Sequence, residues 1–535
     1  MTNLLPRHGE THFANIPYGY YALLVCVAFV LNVIAARLVL ADRPTSCNRW
    51  YHSVIRQWYN ASPLVGLVTL FVPLMIPFVH HYSIWEHATV YLKRLGRLSY
   101  VLATLNLFLT LRPNLLLPRY VYLELVPLHK WVSRSIFFLA FLHGLGFLIW
   151  WAVTSEVSVF ENAARNVWNL VGVVDLFLLT FLVLVSIKPM RRLSYRFFYL
   201  THTVVSWAFV FLTALHARPG VFAPFTIINS GLLFLHIISK TVYARAVELN
   251  AADTEPERSS GLVRISLQRK AMPDFFPPGC HLRISPYRRF NPLYYLLPSH
   301  PYTVASLPSD NTVECIVREH VRGFKLLTGL RYTVQNHYES VPRKCLESAT
   351  RIAIVCGGSG ISFGLPLFQY FADSERATEI RHLQFIWLVR DKNDLSVLAG
   401  MSSLKSNDPR FHIYVTRNLP KDDTDTSASK TEIGSSGPEP RHDDLEFELD
   451  SLDNQLDQNG AFLREEGTGS KLTDAASTVH LGRKLDWAAD LAQLVHEDAL
   501  ETTWLVACGP TGLNDAAKRY AFQNKINLAS ERYAL

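Results

Sequence analysis

Four histidines carry the sharpest chemical pattern in the chain: His129 and His143 in HKWVSRSIFFLAFLH, and His202 and His216 in HTVVSWAFVFLTALH. Both pairs are 14 residues apart. At 100° per residue that spacing ends about 40° short of four full turns, so each pair shares one helix face with its rings about 21 Å apart. If both helices start from the same side of a membrane, His129 and His202 lie at one depth and His143 and His216 at the other. That makes two bis-imidazole sites stacked across the bilayer. A planar macrocycle with iron needs two axial ligands on facing helices, which makes haem the natural occupant. The alternative is four histidines at helix ends making packing hydrogen bonds. Two equal spacings in two helices, and the cost of burying imidazole in lipid, argue against it. Arg97, Arg134 and Arg191 are candidate partners for haem propionates, with snorkelling to head groups as the other reading. His80, His81 and His87 could dock a metal ion or simply sit at the interface.

A second group of motifs fits nucleotide chemistry. His300, Pro301, Tyr302, Thr303 and, after Val304 and Ala305, Ser306 follow a strand. They offer a ring that can stack on a flavin and hydroxyls that can reach its edge or its phosphates; a purely structural strand turn is the competing reading. His320-Val-Arg-Gly-Phe-Lys325 offers cations for a flavin pyrophosphate, or a solvated barrel edge. Gly357, Gly358, Ser359 and Gly360 come directly after RIAIVC and open a helix, so backbone amides there can hold a pyrophosphate. Arg390 ends the next strand, where a cation suits the 2′-phosphate of NADPH, although Asp391 adjoins it. Cys508, Gly509 and Pro510 end the last recognisable strand, where the nicotinamide should lie; the alternative for Cys508 is a buried structural thiol.

The elements that hold these residues follow from composition. The 535 residues are 49% hydrophobic and 18% charged, with a mean hydropathy of +0.12, against roughly 25% charged in soluble domains. A membrane protein is indicated. The net charge of +7 hides a split, because residues 421–480 carry a net −10. The basic half is also the greasy half, which favours anionic lipid or anionic cofactors over nucleic acid as its partner. Seven apolar stretches can cross a bilayer: 18–40, 63–82, 95–111, 129–153, 167–187, 197–217 and 222–243. If the C-terminal half is cytosolic, ten Lys and Arg fall in inside loops and six outside, which favours that orientation. The seven cysteines lack CxxC pairing, so neither a zinc site nor a disulfide framework is expected. No cleavable signal peptide is evident. Short β-branched runs between 250 and 348 predict an antiparallel FAD-binding barrel. From 349 to 535 the alternation of strand, glycine turn and helix predicts a doubly wound α/β domain for NADPH. Within it, the acidic insert 418–482 is too polar to order itself.

Taken in order, the paired H-x13-H helices, HPYTVAS, GGSGIS and CGP resemble the ferric reductase and NADPH oxidase superfamily over nearly the whole chain. YLKRLGRLSYVLATLNLFLTLRPN, ISPYRRFNPLYYLLPSHPYT and CGGSGISFGLPLF resemble most closely its fungal metalloreductase subgroup named for altered inheritance of mitochondria. The resemblance implies a multi-pass helical domain, residues 1–245, holding two b-type haems on His129, His143, His202 and His216. It implies a ferredoxin-reductase-like flavoprotein behind it, with FAD at His300 to Ser306. NADPH contacts would come from Gly357 to Ser362, including Ile361, and from Cys508 to Pro510. An aromatic over the flavin would be supplied by Tyr533. The implied activity is electron transfer from NADPH through FAD and the haems to chelated Fe(III) or Cu(II), serving iron and copper homeostasis. Two other readings stand beside it: a superoxide-forming NADPH oxidase with dioxygen as acceptor, and a non-enzymatic seven-helix protein with a vestigial flavodomain. The plasma membrane and the endoplasmic reticulum are both compatible with the sequence, and nothing in it designates a protein partner.

Overall fold

The computed structural model describes residues 15–41, 50, 54–55, 58, 63–79, 87–111, 122–217, 222–242, 244–249, 262–287, 296–318, 326–327, 329–373, 375–398, 408–416 and 478–532. The chain divides into two compact units, Met1–Ala244 with Tyr287–Pro298, and Arg245–Pro286 with Ser299–Leu535.

The first unit contains the long helices α1 (Asn15–Ala41), α2 (Pro63–Val79), α3 (Ala88–Thr110), α4 (Tyr122–Thr154), α5 (Val167–Ser186), α6 (Tyr195–His216) and α7 (Ala223–Val242). Five of them, α1 and α4 to α7, are long and apolar enough to cross a membrane. Helix α2 is shorter, and α3 carries Lys93, Arg94 and Arg97. The charges on α3 are tolerated because it is the central helix, buried along most of its length, and its guanidinium groups find carbonyls. Arg94 donates from Nε to Asn15 Oδ1 at 3.0 Å and from Nη1 to the Phe78 carbonyl at 2.6 Å. Arg97 donates to the Asn15 carbonyl at 2.6 Å and lies over the Phe222 ring. The outward faces carry Leu24, Phe138, Phe177, Phe211 and Phe234, all exposed, as a lipid-facing surface requires.

The second unit begins with an antiparallel half-barrel. Strands β1 (Ala244–Glu248), β6 (Arg331–Tyr338), β3 (His281–Pro286) and β4 (His300–Thr303) form one sheet in that order, and β2 (Leu262–Gln268) pairs with β5 (Thr312–Arg318). An isolated bridge from Val304 to Cys315 joins the two. Beyond it lies a parallel sheet in the order β10-β9-β8-β7-β11-β12, formed by β7 (Arg351–Gly357), β8 (His382–Val389), β9 (Phe411–Val415), β10 (Thr478–Leu481), β11 (Thr503–Gly509) and β12 (Asn527–Arg532). Its central strands are mostly apolar, and every residue of β11 is buried, as expected when helices cover both faces. Helix α8 (Ile361–Asp373) follows β7, and α9 (Thr511–Gln523) follows β11.

Two expectations change. The insert does not extend to residue 482, because Thr478–Leu481 pair in parallel with β9, Thr478 opposite His412 and Leu481 opposite Val415; residues 417–477 lie outside the described residues. And β11 is not the last strand. β12 adds to it in parallel, with Cys508 opposite Glu531.

Candidate functional site

Helices α4 and α6 bring the four histidines together in two pairs. The rings of His129 and His202 are 6.2 Å apart between centroids, and those of His143 and His216 are 5.9 Å apart. A transition-metal bond to imidazole is about 2 Å long, so a separation near 6 Å leaves room for one metal ion between the two rings. Three of the rings are oriented by a hydrogen bond at Nδ1. His143 donates to the Leu92 carbonyl at 2.7 Å, His216 to the Trp168 carbonyl at 2.7 Å, and His129 meets Asn106 Oδ1 at 2.8 Å. Asn106 spends its own amide on Ser133 Oγ at 2.8 Å, so its oxygen is the acceptor. Each such bond places the proton on Nδ1 and leaves the Nε2 lone pair for a metal, the arrangement that ligating histidines ordinarily have.

Glycines make the close approach possible. A Cβ at Gly96 of α3 would stand 2.9 Å from His143 Nδ1, and one at Gly172 of α5 would collide with the His216 ring. Neither glycine nor Asn106 is singled out by sequence reasoning, because each matters only through the helix it faces. Of the candidate propionate partners, Arg97 is engaged with Asn15, while Arg134 lies over Trp131 and Arg191 over Phe198. His87 precedes α3 and its carbonyl accepts from Val90. His80 and His81 lie outside the described residues.

In the second unit, His300 and Tyr302 sit half-buried on β4, opposite Ile284 and Leu282 of β3. Arg283 of β3 donates to Ser299 through Nε to Oγ at 2.8 Å and through Nη2 to its carbonyl. Burial, and then that guanidinium, hold the His300 imidazolium down to about 4. It is a neutral ring at physiological pH. Ser306 Oγ accepts from the Glu314 amide at 3.1 Å. Residues 319–325, including His320 and Lys325, lie outside the described residues, as does Tyr533.

Gly357 to Gly360 leave β7 and enter α8 directly. Gly358 has φ +53°, where a side chain would be strained, and its carbonyl accepts from Trp387 Nε1 at 2.9 Å. The turn ending β11 packs against this one: a Cβ at Gly509 would meet Leu513 at 2.6 Å and the Gly357 amide nitrogen at 3.3 Å. Sheet order departs in opposite directions from β7 and β11, so the two glycine turns meet at the topological switch point, where doubly wound sheets bind nucleotides. Ile361 and Ser362 are buried. The Ser362 hydroxyl donates to the Thr303 carbonyl at 2.7 Å and accepts from the Ile316 amide at 3.1 Å, tying the glycine turn to the half-barrel. Arg390 is exposed just past β8, and Asp391 accepts from the Asn393 amide as a turn residue.

Cys508 is buried, and burial, with Glu531 beside it, pushes its thiol well above the ordinary range. Glu531 is the residue sequence reasoning missed. Burial raises its carboxyl to about 8 against the pull of the Ser340 hydroxyl, and it stands 3.8 Å from His281 Nδ1. Asn514 holds this corner, donating to the Gly509 carbonyl at 2.9 Å and the Glu531 carbonyl at 3.2 Å.

Three family models match successive stretches of the chain. The ferric reductase like transmembrane component matches residues 95–213, the FAD-binding domain 246–354 and the ferric reductase NAD binding domain 349–522. The chain is 59% identical over 532 residues to a protein of Lachancea thermotolerans named probable metalloreductase AIM14, covering 99% of each. A protein of that name from Zygosaccharomyces rouxii is 44% identical, covering 100% of both chains. One from Saccharomyces cerevisiae is 37% identical, covering 100% of this chain and 99% of its own. Matched from end to end, and with a multi-pass membrane component followed by FAD- and NAD-binding domains, the chain belongs to the ferric-reductase-like family of NAD(P)-dependent oxidoreductases that includes these probable metalloreductases.

Proposed function

We propose that this chain carries electrons from NADPH through FAD and two b-type haems to chelated Fe(III) or Cu(II) on the far side of a membrane, with its nucleotide domains in the cytosol. The observation that carries the reading is the meeting of four imidazoles in two pairs, 6.2 and 5.9 Å between ring centres, on one pair of helices. When bound, FAD supplies the division of a hydride's electron pair into single electrons and the haems supply one-electron carriers; the protein supplies placement and potential. His129 with His202, and His143 with His216, would hold the irons through Nε2. His300, Tyr302 and Thr303 would hold FAD. The glycine turns at Gly357–Gly360 and Cys508–Pro510 would hold NADPH, with Arg390 toward its 2′-phosphate and Tyr533 over the flavin. Neutral His300 and the protonated Cys508 thiol add no charge near the flavin.

The names of the relatives support a metal ion as acceptor. The test is NADPH-driven reduction of a ferric chelate by membranes containing this chain, with and without superoxide dismutase. Reduction that dismutase leaves untouched is the expected result. Complete suppression would make dioxygen the acceptor, with superoxide as the product.

A further inference from the structure

Between the two histidine levels, and nearer that of His143 and His216, the first unit buries a group of polar side chains that the electron path does not use. Asp175 of α5 is 6% exposed; its Oδ2 accepts from Thr213 Oγ1 of α6 at 2.6 Å, and its Oδ1 has no hydrogen-bond partner among the described residues. Asn229 of α7 is fully buried, and neither its oxygen nor its nitrogen meets hydrogen-bond geometry. Tyr100 of α3 links them: its hydroxyl donates to the Val210 carbonyl at 2.9 Å and lies 3.0 Å from Thr226 Oγ1, with Asp175 and Asn229 within its electrostatic reach. Depth follows from the sequence. Val210 is six residues from His216 and eight from His202, about 9 and 12 Å along the axis. Asp175 is one turn beyond Gly172, which touches His216.

An acid at this depth, with one oxygen unmatched, is stable as a charge only beside a compensating positive charge. The core of a bis-imidazole haem provides one in its oxidised state, net +1, and loses it when an electron arrives. We propose that Asp175 is a proton-binding site coupled to the electron, taking one proton at Oδ1 as the neighbouring iron goes from Fe(III) to Fe(II) and releasing it to solvent when the electron leaves. Thr213 of α6 bonds Asp175, with His216 one turn on; Tyr100 of α3 lies within its electrostatic reach, and Gly144 of α4 packs on the adjoining Leu176. None of these is an acid. The inference rests on the two-haem reading above.

The measurement is a reduced-minus-oxidised infrared difference spectrum of the purified full-length protein, alongside redox titration of its haems as a function of pH. A carboxylic-acid carbonyl band that grows on reduction and shifts in heavy water is expected in wild type. The haem potential should fall with rising pH in wild type and lie flat in Asp175→Asn, with Asp175→Glu keeping the band at a moved frequency. A bis-imidazole haem spectrum without that band, in wild type alone, overturns the proton site and leaves the haem reading intact. A preparation with no haem spectrum overturns both.

Discussion

At the scale of single residues, the candidate site is set by groups whose importance depends on what faces them. Gly172 is the clearest case. Any Cβ there collides with His216, so Gly172→Ala should displace the ring and lower haem retention at that level about tenfold or more, the usual loss when a ligand's support is disturbed. Spectroscopic haem content per protein measures it, and content equal to wild type would contradict the assignment. Asn106→Leu should act similarly on the His129 level. Glu531 gives a pH prediction. Its carboxyl is raised from 4.5 to about 8, so between those values the folded chain keeps a proton that the unfolded chain has lost. Stability is therefore intact below pH 4.5 and declines as pH climbs toward 8. Glu531→Gln should flatten that decline when thermal release of flavin from the whole protein is followed across the range. His300 works in the opposite direction: with its pKa held at about 4, stability is lost as pH falls from 6.5 through that value.

At the scale of elements, β10 is informative. It pairs in parallel with β9, and a parallel neighbour needs a crossover of about a dozen residues or more. Deleting 430–465 keeps such a connection and removes much of the acidic composition, so NADPH-driven reduction should stay near wild type. Extending the deletion through Leu481 removes the strand and should abolish or sharply lower it. Activity lost with the shorter deletion would give the insert a role that its composition does not announce. The helices and the central strands of the parallel sheet were legible in the sequence, because hydropathy runs and glycine punctuation report directly on burial. The matching histidine spacings revealed the pairing of two faces. Strand β12, NLASER, carries only Leu528 and Ala529 as apolar residues and owes its place to the edge of β11, which no local pattern encodes. The His-facing glycines, Asn106 and the burial of Glu531 are properties of pairs of elements, so a linear reading does not single them out.

At the scale of the whole molecule, the proposed electron path runs through the membrane thickness by way of the two imidazole levels on one helix pair. Sealed vesicles with NADPH on one side should reduce an impermeant ferric chelate held on the other, and His143→Ala should stop that transfer while flavin reduction by NADPH continues. Equal reduction of chelate by vesicles of the variant would break the proposed path. The hydrogen bonds at His129, His143 and His216 bear on how such a molecule is made. Each ring is anchored to a helix other than its own, His129 and His143 to α3 and His216 to α5, by groups of the chain itself, so the pockets have their shape as soon as the bundle closes. On the proposed two-haem reading, loading becomes a late step of biogenesis, separable from insertion: protein accumulated in haem-starved cells should take up added haem without refolding, at a rate set by supply.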